Sequence, residues 1–442
     1  MTVHIGRLCR IVARVLVVGA TLAIALGTAL ALWPPGDEPA PPVSGAPARI
    51  HDPISRGAYL ARAADCIACH SAPGGKPLAG GLPFTLPFGT LYSTNITPDK
   101  ETGIGSWSDD DFVRAVREGV SPQHTLYPAM PYPSYTALAR DDVLAIKAYL
   151  FSQQPVRAAR TPNALAFPFN QRWVLPLWKL AFFRNRRMVI EEAAGVERNR
   201  GAYLANALGH CGECHTPRTV GYGLQDARAL SGETAQGWRA GNITPDPWTG
   251  IGRWSDAQLT AYLSAGHAPG RSSASGPMAE VIEHSLQYLD ADDIHALVVY
   301  LRSVTPVQTD PRLMVELKPQ GATRSYDLLP ARDTDLRTNS GARLFSSDCA
   351  GCHAWNGNGR QISYASLTGS SSVNDIYGRN VVQVILHGTR IRVGEAGAVM
   401  PGFANRYSDA EVVALTRFVL AHFGDKEGVV SEADVRGQRS DK

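Results

Sequence analysis

The stretch Cys66-Ile67-Ala68-Cys69-His70 returns twice with its spacing kept, as Cys211-Gly212-Glu213-Cys214-His215 and as Cys349-Ala350-Gly351-Cys352-His353. Cys9 is the one cysteine outside these motifs. Two thiols at this spacing can form thioether bonds to the two vinyl groups of one porphyrin, and the next histidine then lies under the iron. Cys-x-x-Cys-His therefore reads as attachment of c-type haem. Zinc and dithiol chemistry are the rivals. A structural zinc site needs four ligands, usually two such pairs close together, whereas these pairs stand about 140 residues apart. A thioredoxin-like dithiol needs a βαβ context, and none is visible. The motifs imply three covalently bound haem c groups, attached through Cys66, Cys69, Cys211, Cys214, Cys349 and Cys352. His70, His215 and His353 are the proximal iron ligands.

The surroundings of the motifs repeat as well. Gly57-Ala58-Tyr59-Leu60 matches Gly201-Ala202-Tyr203-Leu204, and Asn95-Ile96-Thr97-Pro98-Asp99 matches Asn242-Ile243-Thr244-Pro245-Asp246. Thr102-Gly103-Ile104-Gly105 likewise matches Thr249-Gly250-Ile251-Gly252. A third repeat keeps Gly341-Ala342-Arg343-Leu344 and the motif but lacks the Asn-Ile-Thr-Pro loop. A repeated supersecondary unit is the main architectural fact. Ser108 with Asp111, and Ser255 with Gln258, predict capping boxes that open helices through Arg117 and Leu263. Closing helices are predicted over 142–149, 293–300 and 411–418, with Tyr149, Tyr300 and Phe418 at one equivalent position. A glycine on the first helix and an aromatic on the last would let the two cross closely. Strand signals are weak, so the fold is mainly α with long loops.

A chain of 442 residues has room for about three domains. A net charge of +3 gives no case for nucleic acid. The N-terminus stands apart: His4, Arg7, Arg10 and Arg14 precede an uncharged run at 15–33. That run is long enough for a membrane span with a cytoplasmic N-terminus. Ala29-Leu30-Ala31 also resembles a signal-peptide cleavage site. The C-terminal tail offers no apolar face, so the expectation is an anchor that stays on the mature protein. Either way the rest of the chain crosses the membrane.

An electron carrier profits from an iron with both axial positions filled, and methionine raises the potential relative to a second histidine. Met130, Met278 and Met400 lie 60, 63 and 47 residues after His70, His215 and His353, each before its closing helix and in a Pro-containing loop. They are the expected sixth ligands. Met188 and Met314 read as gap-filling core residues. His124, His267, His284 and His387 do not align across the repeats and read as surface or loop residues. A backbone carbonyl near Pro73 and Pro217 could orient the first two haem histidines; the third motif lacks that proline. Trp107 and Trp254 could donate to haem propionates or simply pack. Between Phe167 and Arg187, aromatic residues alternate with Lys179, Arg184, Arg186 and Arg187, a segment that could touch membrane or partner, or pack between haem domains.

A glycine-bearing first helix, Cys-x-x-Cys-His, a loop methionine and an aromatic-bearing last helix resemble a class I cytochrome c domain. Three in tandem resemble the triheme cytochrome c subunit of bacterial membrane-bound alcohol, gluconate, sorbitol and fructose dehydrogenases. The resemblance covers about 55–424 and rests on Ala72-Pro73-Gly74-Gly75-Lys76-Pro77, on Tyr92-Ser93-Thr94-Asn95-Ile96-Thr97-Pro98-Asp99, and on Leu126-Tyr127-Pro128-Ala129-Met130-Pro131-Tyr132-Pro133-Ser134-Tyr135. Together with the N-terminal run, it divides the chain into a signal or membrane anchor at 1–35, a Pro/Ala-rich spacer at 36–52, and cytochrome c domains at 53–155, 197–306 and 336–424. Linkers at 156–196 and 307–335 and a polar tail at 425–442 complete the division. It further implies a periplasm-facing carrier at the bacterial inner membrane with no substrate chemistry of its own. Its electrons would come from a flavin-, pyrroloquinoline-quinone- or molybdenum-dependent dehydrogenase subunit and go to ubiquinone or a terminal oxidase. A free-standing cytochrome and a haem enzyme with one open iron are the alternatives.

Overall fold

The computed structural model describes residues 49–314 and 336–440, with a few isolated positions before them. All but a few isolated positions of the apolar run at 15–33 and most of the 36–52 spacer lie outside the described residues, and the anchor or signal expected there with them. Among the described residues no helix is long and apolar enough to cross a membrane.

The first repeat opens with α1 (Pro53–Ala63), whose N-cap Asp52 accepts from the Ser55 N–H, followed by the motif turn α2 (Cys66–Cys69). A hairpin, β1 (Pro83–Leu86) and β2 (Gly89–Tyr92), comes next, then α3 (Asp109–Glu118), α4 (Tyr132–Tyr135) and α5 (Arg140–Phe151). Beyond α5, β3 (Ala164–Leu165) returns to pair with β2, and α6 (Val174–Phe182) leads to the second repeat. The second repeat has the same order. It runs through α7 (Val196–Ala202), a π-helical turn at Tyr203–Leu208, α8 (Gly212–His215), β4 (Glu233–Ala235), β5 (Trp238–Ala240), α9 (Asp256–Ala265), α10 (Gly276–His284) and α11 (Ala291–Ser303). The third holds α12 (Ser340–Leu344), a π-helical turn at Phe345–Cys349, α13 (Ala350–His353), α14 (Arg379–His387), β6 (Thr389–Val393), β7 (Ala396–Met400) and α15 (Asp409–Gly424). The mainly helical expectation agrees with this architecture. The hairpins were not legible: strands of three to five residues alternate too briefly to rise above loop composition.

One crossing organises each repeat. A Cβ built on Gly57 would stand 1.8 Å from the Ala145 carbonyl oxygen, one on Gly201 1.9 Å from that of Ala296, and one on Gly341 2.2 Å from that of Ala414. The next obstacle in each case is the Cβ of Tyr149, Tyr300 or Phe418, within 3 Å. First and last helices thus touch backbone to backbone, and any side chain at the glycine would force them apart.

Both predicted capping boxes form, Ser108 with Asp111 and Ser255 with Gln258, each exchanging side chain for backbone N–H. The Asn-Ile-Thr-Pro loops are pins. Asn95 donates to the Val156 carbonyl (2.7 Å) and the Thr102 hydroxyl (3.1 Å), while its own oxygen accepts from the Thr97 N–H (2.9 Å). Asn242 makes the same bonds to Val307, Thr249 and Thr244 at the same distances. The loop is thereby tied to the chain that leaves the closing helix.

The first two repeats share one apolar core, in which Leu60, Val143 and Leu138 pack with Tyr203, Leu204, Leu208 and Ile282. A reciprocal polar lock crosses it. Tyr203 donates to Asp142 (2.7 Å), which Arg56 also binds; Tyr59 donates to Asp293, which Arg200 also binds. Each tyrosine oxygen accepts a backbone N–H from the other repeat, Tyr203 from Ala139 (3.0 Å) and Tyr59 from Asp290 (3.1 Å). Asp142 and Asp293 are almost fully buried, so these partners satisfy carboxylates that could not otherwise leave water.

The third repeat builds a separate core around Phe345, Leu415 and Leu420. Its hairpin reaches the second repeat, with Ile391 seated on Gly266 and Gln287 bonded to the Arg392 carbonyl (3.1 Å) and the Gly394 N–H (2.9 Å). The stretch after Gly424 is not a free polar tail. It forms α16 (Glu432–Ser440) and buries Val430 and Val435 in the third core, while Arg439 bonds Asp409 (2.7 Å) and the Tyr407 carbonyl (2.6 Å). Two valines among charges were too sparse a signal to show an apolar face.

Candidate haem-attachment sites

Each motif folds as a short helical turn that carries two unpaired cysteines and ends at or beside the histidine. Burial pushes the Cys66 and Cys69 thiols up to about 12, Cys211 to about 11 and Cys349 to about 12. A redox dithiol needs the opposite, a thiol pulled down by nearby positive charge or a helix terminus.

The three histidines are oriented alike. The Nδ1 of His70 lies 2.7 Å from the Thr94 carbonyl, that of His215 2.7 Å from Gly241, and that of His353 2.7 Å from Ala365. With the proton on Nδ1 held by a carbonyl, Nε2 keeps its lone pair for a metal. Burial lowers the pKa of all three rings, which favours this neutral form. The accepting carbonyls are not those beside Pro73 and Pro217. Thr94 and Gly241 directly precede the pinned Asn95 and Asn242, so the Asn-Ile-Thr loops hold the atoms that aim the imidazoles. The third repeat, without that loop, uses a 3-10 turn at Ser363–Ala365. Two thiols and one unprotonated imidazole nitrogen, three times over, are a donor set that fits haem c.

The methionines occupy three different local structures. Met130 sits in the loop before α4, with its N–H on the Tyr127 carbonyl (3.0 Å). Met278 lies in the first turn of α10 rather than in a loop, and Met400 ends β7, paired with Thr389. Met130 and Met278 both pack, half-buried, on the shared core. Met188 packs there too, and Met314 lies at the end of a 3-10 turn.

Of the other histidines, His267 bonds the Ser273 hydroxyl (3.0 Å) and His387 the Gln438 carbonyl (3.1 Å). His124 is pushed down to about 4 by burial and by Arg172 and Arg160. His284 ends α10. Trp107 lies against the shared core and Trp254 packs edge-on to Tyr262 at 5.5 Å.

The first and second motifs meet at the shared interface. The α10 helix carrying Met278 packs against Cys66–Cys69, and α4 packs against the turn that leads to Cys211. Tyr135 donates to the Ala64 carbonyl (2.8 Å), two residues before Cys66, and its ring stands edge-on to His210, one residue before Cys211, at 5.5 Å. Asp65 and His210, the residues just before the first cysteine of each motif, both have left-handed backbone, with φ of 51° and 37°. Sequence reasoning missed this junction. Its signal was the tyrosine kept at Tyr59 and Tyr203 but replaced by Arg343 in the third repeat.

Comparison with known proteins agrees with this chemistry. Residues 337–419 match the family model for cytochrome c oxidase, cbb3-type, subunit III. The chain is 38% identical over 417 residues to the fructose dehydrogenase cytochrome subunit of Gluconobacter japonicus, covering 91% of this chain and 86% of that one. It is 37% identical over 410 residues to the gluconate 2-dehydrogenase cytochrome c subunit of Pantoea cypripedii, covering 88% and 90%. It is 34% identical over 408 residues to the cytochrome c subunit of the quinone alcohol dehydrogenase of Gluconobacter oxydans (strain 621H), covering 88% and 82%. With these identities spread over nearly the whole of both chains, the protein belongs to the family of dehydrogenase cytochrome c subunits.

Proposed function

We propose that the chain is a membrane-attached, periplasm-facing carrier of three haem c groups that relays electrons from a dehydrogenase catalytic subunit to ubiquinone or a terminal oxidase. The observation that carries this reading is the triple recurrence of one donor set, with each histidine aimed by a carbonyl at 2.7 Å. Bound haem supplies reversible one-electron chemistry; the protein sets potential, spacing and docking. Cys66 and Cys69, Cys211 and Cys214, and Cys349 and Cys352 would hold the groups by thioether bonds in three cytochrome c units at 53–155, 197–306 and 336–424. His70, His215 and His353 would each give the iron a nitrogen ligand, and Met130, Met278 and Met400 would each give it a sulfur. Support for the methionines comes from their place before each closing helix and, for Met130 and Met278, from their packing on the core that the motifs flank. Relatives named for fructose, gluconate and alcohol dehydrogenases favour a donor subunit that oxidises a CH–OH group.

A pyridine haemochrome assay on the purified chain should give three haems, and a count below three overturns the assignment. Met130→His, Met278→His and Met400→His should each lower one potential in a redox titration and leave the other two nearly unchanged. Carbon monoxide binding to the reduced wild type would show an open iron and favour a haem enzyme instead. Reconstitution with the dehydrogenase subunit and a ubiquinone analogue should give substrate-driven quinone reduction that the dehydrogenase alone does not.

A further inference from the structure

Helix α6, between the first two repeats, is inside out. Its one charged residue, Lys179, is 1% exposed, while Trp173 at its N-cap is 62% exposed, Leu180 41% and Leu177 36%. The inward positions, Leu175, Lys179 and Phe183, follow at intervals of four. The outward ones, Trp173, Leu177, Leu180 with Ala181, then Arg184, fall at the same helical spacing on the opposite face. A surface helix of a globular protein normally turns its polar side out.

The helix is clamped from within. Lys179 Nζ donates to the Glu118 carbonyl at the end of α3 (2.6 Å), and Phe183 packs edge-on to Tyr132 at 5.3 Å. Trp178 Nε1 donates to the Gly221 carbonyl (2.7 Å), and a Cβ on Gly221 or Gly223 would run into the Phe182 ring at 2.4 or 2.3 Å. Both repeats thus fix the helix while its apolar face stays outward, next to the fully exposed Val220.

Charge points to what covers that face. Residues 156–190 hold seven arginines and lysines and no aspartate or glutamate, in a chain whose net charge is +3. Arg184 and Arg186 are exposed just beyond the apolar face. Nine residues span only about 13 Å at the helical rise, too short to cross a bilayer core but suited to lie along its surface. A tryptophan at one end and arginines at the other match the headgroup layer of an anionic membrane.

We propose that α6 lies in the headgroup region of an anionic lipid bilayer and sets the paired repeats against it. This rests on the reading of the chain as a membrane-attached carrier and adds the face by which it sits.

The test uses the full haem-loaded chain with Cys9→Ser as background and Leu180→Cys as the probe. Lys100→Cys, exposed in the first repeat, is the control. Labelling by a membrane-impermeant maleimide is timed without vesicles, with phosphatidylcholine vesicles, and with vesicles containing phosphatidylglycerol. The proposal expects position 180 to label at least tenfold more slowly with phosphatidylglycerol, position 100 to be unchanged, and Arg184→Glu with Arg186→Glu to abolish the protection. Equal labelling at 180 in all conditions overturns it, as does protection as strong in phosphatidylcholine alone. Protection that appears only when the dehydrogenase subunit is added overturns it too and assigns the face to protein docking. Haem content of the same samples is scored separately, so a wrong carrier reading and a wrong docking face give different results.

Discussion

The first two repeats and the third contain the same glycine crossing and the same histidine arrangement, yet they are joined to the molecule by different physics. The first pair shares a core and exchanges two tyrosines for two buried aspartates. The third keeps its own core and meets the second repeat through side chains bonded to main chain, such as the Asn380 amide on the Arg239 N–H and carbonyl (2.8 and 2.9 Å), and through Ile391, which packs into the shared core. Arg343 stands where the pair has tyrosine, and Glu411, at the place of Asp142 and Asp293, caps its own helix through Ser408. The crossing and the histidine geometry hold each Cys-x-x-Cys-His site, whereas the tyrosine and aspartate positions decide which units fuse into one body.

Several substitutions test that division. The largest effect should come from haem loss. Cys211→Ala with Cys214→Ala should remove one haem from a shared core and lower the unfolding midpoint of both first repeats. Cys349→Ala with Cys352→Ala should leave their transition in place; calorimetry with haem counting separates the two outcomes. Next come the crossings. Gly57→Ala or Gly201→Ala should destabilise the pair by about 3 kcal/mol, the upper range for overpacking a core. Gly341→Ala should cost a similar amount but only in the third repeat, and one common transition for all three variants would erase the distinction. Smaller is the lock itself. Tyr203→Phe withdraws a donor from a buried charged partner and should cost about 2 kcal/mol. In denaturant unfolding Tyr59→Phe should couple to Asp293→Asn and be nearly additive with Asp142→Asn; additivity with both would mean that the tyrosine bonds contribute nothing specific.

The last is a pH dependence confined to the pair. Burial brings Lys179 down to about 8, below the value near 10.4 of an unfolded lysine. The folded state therefore binds fewer protons between these values, and stability should rise as pH climbs from about 8 to about 10. Below that window the cost of the buried charge is fully present. Lys179→Met should flatten the rise, and an unchanged slope would place the titrating group elsewhere.

Much of this was legible in the residues because each element is specified locally. Cys-x-x-Cys-His, the two capping boxes and the glycine–aromatic positions need only short spacings, and the structure places them as the spacings imply. Met278 was expected in a loop because Pro277 precedes it, but proline suits the first turn of a helix, and α10 begins there. The carbonyls on His70 and His215 come from 24 and 26 residues downstream, delivered by loops whose pins are visible only in three dimensions. Nor did the alignment alone say that Tyr59 and Tyr203 face another unit, since a repeated tyrosine can equally serve its own core. The difference from Arg343 was the available clue.

The tyrosine exchange has a further consequence. Tyr59 on Asp293 and Tyr203 on Asp142 are one contact made twice, the pattern that two identical subunits produce around a two-fold axis. Here both halves belong to a single polypeptide. A true dimer comes apart on dilution, but a tethered one meets its partner at a fixed local concentration however scarce the protein becomes. The spacing between the first two Cys-x-x-Cys-His motifs is thus independent of abundance. It would be the same in a dilute solution as in a concentrated one.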